Sequence, residues 1–154
     1  TRPRDLYDNA TPAGNSVAAE VMLRLASYLG DDTLRQRARQ ILAPLAEAMA
    51  DHALAFGRLV CALDLYLADG REVVIVGDPR DTDTRALLDV VNRRYRPHLT
   101  LALARATDDP AVQIIPLLRD RPMLDGKATA YVCQHFTCQL PSTKPVELAR
   151  QLGD

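Results

Sequence analysis

The chain has 154 residues, 47% of them hydrophobic, and 19 basic against 20 acidic side chains give a net charge of −1. That length suits one ordinary domain or two half-size units, and the ordinary composition excludes low-complexity, collagen-like and disulfide-framework folds. The balanced charge, the lack of Trp and the two Phe argue against nucleic-acid binding, and no apolar run reaches the roughly 18 to 20 residues of a membrane helix.

Residue 1 is Thr, not Met, and Thr1 to Asp5 lead into a polar loop with no signal-peptide pattern, so the sequence is expected to be a processed product or a piece of a longer chain. Tyr7 to Ser16 is dense in turn formers, and Asn15 or Ser16 is expected to cap the helix that follows. That helix, about 16 to 29, carries Glu20, Arg24 and Ser27 as a narrow polar stripe, with Glu20 and Arg24 in the favourable i,i+4 order. Most of its circumference is apolar and needs cover on two sides.

Gly30 ends this helix and Asp31 or Asp32 caps the next, about 33 to 50, with Pro44 expected to kink it. A third helix is expected over about 53 to 68. Then the period changes. Val73 to Val76 is a β-branched run closed by Gly77-Asp78-Pro79, the pattern of a strand buried on both faces of a parallel sheet. A helix over about 82 to 95, with Leu87, Leu88, Val91 and Tyr95 inward, and a strand at Leu99 to Leu103 complete a βαβ unit. Asp108 or Asp109 with Pro110 starts a short helix, Asp125-Gly126 turns, Thr129 to Cys133 is a third strand, and Pro145 opens a final helix to Leu152. The expected boundary is at Asp69-Gly70, dividing a helical region 1–69 from an α/β lobe 70–154.

Three constellations could carry chemistry. Tyr7, Asp8, Asn9, Asn15 and Ser16 bring a carboxylate, two amides and hydroxyls into ten residues, enough to line a pocket for a polyhydroxy ligand, and equally a tight loop that caps a helix. Cys133, His135 and Cys138 offer three metal-ligand side chains, one fewer than zinc prefers, and their spacing is not that of a redox Cys-x-x-Cys. Their plain reading is as small buried apolar groups. Three cysteines are an odd number, so reduced thiols and a cytoplasmic location are expected. Gly77-Asp78-Pro79 lies where open α/β sheets bind ligands, without a glycine-rich nucleotide fingerprint.

Two motifs together are more specific than either alone. Tyr7-Asp8-Asn9-Ala10-Thr11-Pro12-Ala13-Gly14-Asn15-Ser16-Val17-Ala18 and Ala130-Tyr131-Val132-Cys133-Gln134-His135-Phe136-Thr137-Cys138-Gln139-Leu140-Pro141 bracket the strand Glu72 to Gly77. Their order and spacing resemble the C-terminal end of the YyaL-type thioredoxin-domain-containing proteins, a family related to the spermatogenesis-associated protein. The resemblance covers essentially the whole chain. It implies an upstream thioredoxin-like domain and an α/α toroid similar to N-acylglucosamine 2-epimerases and six-hairpin glycosidases. Ala13 stands where the family often has Ser, which removes one hydroxyl, and Cys133 and Cys138 do not inherit the family's Cys-x-x-Cys role.

The resulting expectation is of antiparallel helices from the end of a toroid, followed by a small three-stranded, mainly parallel α/β lobe. Its role is structural: it completes the toroid, needs no cofactor and is not catalytic alone. In that reading the partners are the upstream domains of its own chain. As a fragment it is expected to dimerise through the region before Gly70, because Val17, Val21, Met22, Leu25, Leu59, Val60 and Leu63 would lose their cover. One alternative makes Asp8 the acid/base of a shared carbohydrate or epimerase-like site. The other makes Cys133, His135 and Cys138 a metal or redox module.

Overall fold

A computed structural model describes residues 5–68, 70–134 and 137–154. Two compact units divide the chain after Ala68.

In the first unit, α1 (Gly14–Leu29) is followed by α2 (Asp32–Leu42), a 3-10 turn (Ala43–Leu45), α3 (Ala46–Asp51), a second 3-10 turn (Ala53–Phe56) and α4 (Gly57–Leu67). Gly30 ends α1 at φ 64°, a left-handed conformation that glycine adopts without Cβ strain. Asp31 caps α2, its carboxylate accepting from the Thr33 N–H at 2.8 Å and the Thr33 hydroxyl at 2.6 Å. The expected helix over 33 to 50 is broken rather than bent. Pro44 has no N–H to donate, and the chain tightens into a 3-10 turn around it before resuming as α3.

α1 packs against α2 and α4. The core between them contains Ala19, Leu42, Met49, Phe56, Leu59 and Ala62. The expected capping of α1 by Asn15 or Ser16 is not observed. The helix begins earlier, with Ala13 at its N-cap, which places Asn15 and Ser16 inside its first turn. Ser16 is fully buried.

The second unit runs β1 (Arg71–Val76), α5 (Thr82–Asn92), β2 (Leu99–Ala104), α6 (Pro110–Ile114), a 3-10 turn (Pro116–Leu118), β3 (Thr129–Gln134), β4 (Thr137–Cys138) and α7 (Pro145–Leu152). The sheet has four strands in the order β2-β1-β3-β4, not three. β1 pairs parallel with β2, Val73 opposite Leu101, and antiparallel with β3, Val73 opposite Val132. β3 pairs antiparallel with β4. The mainly parallel lobe expected from the sequence is therefore a mixed sheet with one parallel pair, and the chain as described is an α+β protein.

Val73 to Val76, the last four residues of β1, are buried. Val73 and Ile75 join Leu87, Val91, Ala130, Val132, Leu148 and Leu152 in one core under α5 and α7. α5 stops at Asn92, before the expected end. The Arg96 guanidinium takes the Val91 carbonyl at 2.9 Å, and Tyr95, expected inward, is 92% exposed. Asp125 and Gly126 form the expected turn, with φ of 51° and 67°, the pair of positive values of a type I′ turn.

Gly77 is fixed by close approach. A Cβ built there lies 2.5 Å from Thr84 Oγ1 and 2.9 Å from Ala128 Cβ. Gly77→Ala should destabilise the second unit by about 1 to 3 kcal/mol through overpacking. Urea unfolding followed by a probe in this unit tests it, and an unchanged midpoint would show that Thr84 and Ala128 yield freely.

Candidate functional site

The Tyr7–Ser16 loop converges on one carboxylate. Asp8 Oδ1 accepts the Ala13 N–H at 2.8 Å. Its Oδ2 accepts the N–H groups of Arg58 and Leu59 at 2.8 and 3.0 Å, and its own N–H donates to the Ala55 carbonyl at 2.8 Å. Arg58 and Leu59 lie in the first turn of α4, where N–H groups have no acceptor within the helix. Asp8 thus supplies an anion to the positive end of α4 while holding the start of α1.

Burial alone would raise the Asp8 carboxyl, but the N–H groups of Ala13, Leu59 and Arg58 more than offset it and hold the group below its ordinary 3.8. The Ser16 hydroxyl is buried, and among the described residues its oxygen has no hydrogen-bond partner.

The other loop residues are placed differently. The Tyr7 ring packs on Phe56, with centroids 5.2 Å apart. Asn9 is exposed, its backbone N–H bonded to the Thr11 carbonyl at 3.2 Å. Asn15 is half-buried in α1. The fold gathers Tyr7, Asp8 and Ser16 around the start of α4, whereas Asn9 faces outward.

Nearby, Glu20 pairs with Arg24 at 3.0 Å, as its spacing predicts, and also with Arg58. Beside that stripe, Val17, Val21, Leu25 and Leu29 remain exposed along α1. They recur every four residues and form one apolar strip. Of the other residues expected to be stranded, Met22, Val60 and Leu63 are half-buried. Leu59 is fully buried in the core, although its N–H, like that of the exposed Arg58, is held by Asp8.

The cysteine motif departs from the expectation of reduced thiols. Cys133 and Cys138 are joined as a disulfide, and Cys61 is free and exposed. The two cysteines face each other across β3 and β4. A disulfide sulfur is not a thiolate metal ligand. Among the described residues no group of three or more His, Cys, Asp or Glu side chains could hold a metal ion. His135 lies outside the described residues.

A group the sequence did not single out stands at this bond. Arg121 Nη2 lies 3.5 Å from Cys133 Sγ and 3.7 Å from Cys138 Sγ. Its Nη1 donates to the carbonyls of Leu117 and Arg119 at 2.5 and 2.9 Å. The guanidinium also approaches the Tyr131 ring, 6.0 Å from its centroid, and the Tyr131 hydroxyl donates to the Pro122 carbonyl at 2.5 Å.

Asp78 in Gly77-Asp78-Pro79 is engaged locally. It takes Arg80 through both oxygens, at 3.0 and 2.7 Å, and accepts the Arg80 N–H at 2.9 Å. Those bonds hold its carboxyl well below the usual carboxylate range. Beyond the end of β2 there is an open depression of about 490 Å³ lined by Arg105, Ala106, Asp108, Asp109 and Pro110. Asp109 is committed to the Arg105 and Ala111 N–H groups at 3.0 and 2.9 Å.

Comparison with known proteins follows the same length of chain. The sequence is 34% identical over 154 residues to Spermatogenesis-associated protein 20 of Homo sapiens, an alignment covering 98% of this chain and 19% of that protein. The Mus musculus protein of the same name is 32% identical over 154 residues, with the same coverage. An uncharacterised protein of Caenorhabditis elegans is 25% identical over 138 residues, covering 87% of this chain and 18% of its own. The chain is therefore homologous to a small portion of larger proteins and spans about a fifth of the length of these relatives. No family model matches the sequence and no solved structure matches it. Among the described residues no helix is long and apolar enough to cross a membrane.

The Asp8 clamp makes a pH-dependent prediction. Asp8→Asn should cost the helical unit about 1 to 2 kcal/mol near neutral pH, the scale of a lost helix cap. The folded carboxyl titrates below the unfolded value of 3.8, so its stabilisation is complete above that value and disappears as pH falls through the lower folded one. Chemical unfolding of both forms should show a constant gap at pH well above 3.8 that narrows and closes as pH falls below it. A gap that persisted at the acid end would mean that the charge is not what the clamp uses.

Proposed function

We propose that this chain is a structural and interaction region of a longer protein, and that α1 to α4 are terminal helices of an α/α toroid whose other hairpins lie upstream in that protein. The carrying observation is the apolar strip Val17, Val21, Leu25 and Leu29 on α1. Apolar side chains repeated every four residues along one helix form the stripe that a helix normally turns toward a neighbour. The four are 37 to 47% exposed, so covering what remains of each is worth less than half of the about 1.5 to 3 kcal/mol of full burial, and together they favour a covering surface.

The occupant is upstream sequence of the same polypeptide, because relatives that align with nearly all of this chain are about five times as long. In this reading the thioredoxin-like part also lies upstream, and Asp8 is architectural: it sets α1 against α4 so that the strip faces away from their shared core. Without the upstream helices, the same strip pairs two copies of the chain.

Thiol labelling of a Val21→Cys variant in a Cys61→Ser background tests the reading. In a longer polypeptide carrying the upstream portion, reaction should be at least about tenfold slower than in the 154-residue chain diluted to its monomer, as expected for a position removed from solvent. Equal rates in the two would overturn the reading. Light scattering of the 154-residue chain should show a dimer that Val21→Asp dissociates. A monomer throughout the accessible concentration range would mean that the strip tolerates water and would count against the toroid as well.

A further inference from the structure

We propose that Cys133 and Cys138 form a reversible thiol–disulfide exchange site, with Arg121 stabilising the thiolates that its opening releases. The site lies in the second unit and does not depend on the helical reading above. Three observations converge on it.

The two sulfurs are unequally accessible. Cys133 is 4% exposed and belongs to the buried strand β3. Cys138 is exposed on β4, a strand of two residues, both of them exposed. An incoming thiolate therefore has one sulfur open to attack, and the other is shielded as its leaving group. Arg121 supplies the second observation, with one guanidinium nitrogen within 3.7 Å of both sulfurs. A fixed positive charge next to sulfur lowers the thiol pKa and speeds a thiolate's departure.

The third is how Arg121 is held. Its Nη1 is anchored by the Leu117 and Arg119 carbonyls. Its Nε is buried without a hydrogen-bond partner among the described residues. Burial pushes the Arg121 guanidinium below its ordinary value, and Tyr131, Asp120 and Glu72 oppose that shift only in part. Burial raises the Tyr131 hydroxyl, so this phenol stays neutral near pH 7. A guanidinium is effectively always protonated. This one is kept against a neutral sulfur pair, where the charge gains most once that pair is opened to thiolates.

The reaction needs a dithiol as electron donor. One donor thiolate attacks Cys138 Sγ, the Cys133–Cys138 bond breaks, and Cys133 leaves as a thiolate beside Arg121. The donor's second thiol, deprotonated, then attacks its own sulfur in the mixed disulfide and releases Cys138. Two electrons pass to the cysteine pair, the donor becomes a disulfide, and its two protons end on Cys133 and Cys138. The reverse sequence reoxidises the pair, with Cys133 resolving the mixed disulfide.

Purified chain carrying Cys61→Ser tests this. In millimolar dithiothreitol without denaturant, two thiols should become titratable, and oxidised dithiothreitol should restore the bond. A bond that opens only in denaturant would be structural and would overturn the proposal. In the reduced protein, thiolate absorbance should give a first thiol pKa below the ordinary value of about 8.5. Arg121→Gln should raise that pKa by about one unit and, at a pH well above it, shift the exchange equilibrium about tenfold toward disulfide, while Arg121→Lys keeps most of the effect.

If Arg121→Gln leaves both quantities unchanged while circular dichroism shows the fold intact, Arg121 has no part in the exchange. The single-cysteine variants assign the order of attack. Cys133→Ser should retain a mixed disulfide on Cys138, whereas capture only by Cys133 in the Cys138→Ser variant would refute the assignment. A donor of this class is a small molecule or a dithiol on another protein. The rate constant with dithiothreitol, compared per thiol with that of a reduced dithiol protein, separates the two.

Discussion

A helix begins with N–H groups that have no acceptor in the helix itself, and this protein satisfies several of them with aspartates. Asp31 serves α2 and Asp109 serves α6, each from the residue just before the helix. Asp8 serves α4 from fifty residues earlier and the start of α1 at the same time. In the helical unit this long-range bond closes a loop that local capping could not. It brings the Tyr7 ring onto Phe56 and leaves Leu59 fully buried in the core. Asp83 does related work in the sheet unit, where it accepts the Ala128 N–H at 2.9 Å and so ties the approach to β3 to the start of α5.

What could be read from the sequence followed from how local each signal is. Val73 to Val76 announced a buried strand because four β-branched residues in a row suit little else, and β1 is flanked on both sides. Its parallel partner followed from the intervening helix. The final helix was legible because Pro145 opens it, and the structure ends it at Leu152 with Gly153 as its C-cap, at φ 83°. The direction of β3 was not legible. Both directions give the same residue pattern, and the choice rests on how the segment between Ala104 and Thr129 returns to the sheet. β4 was missed because two residues carry no period. Tyr95 misled because its spacing continued α5, whereas Arg96 competes for the carbonyl at the end of that helix.

The same division holds for the sites. The residues around Asp8 stood out by their chemistry, but the partners that define the carboxylate, the N–H groups of Arg58 and Leu59, are backbone groups that any side chain could carry. The pairing of Cys133 with Cys138 depends on a cross-strand register that their sequence spacing does not reveal. Arg121 is one of many arginines in the sequence, and only the return of β3 past residues 116–122 distinguishes it. The apolar strip on α1 is the intermediate case. The sequence showed too many apolar positions for one helix, and the structure separates those facing the core from those that do not.

The short β4 has a consequence for how this sheet meets other backbones. An open strand edge is a template for adding another strand, and natural sheets tend to block it. Beyond β4, the chain stays against β3: the Gln139 N–H donates to the Val132 carbonyl at 2.9 Å, and Ser142 exchanges bonds with Ala130 in both directions. Pro141, which has no N–H, sits in the middle of this segment. That side of the sheet is thus capped by irregular backbone and a covalent cross-link. β2 forms the other margin, in parallel register with β1, so the two margins of the sheet differ: a regular six-residue strand on one side, and on the other two paired residues followed by irregular backbone.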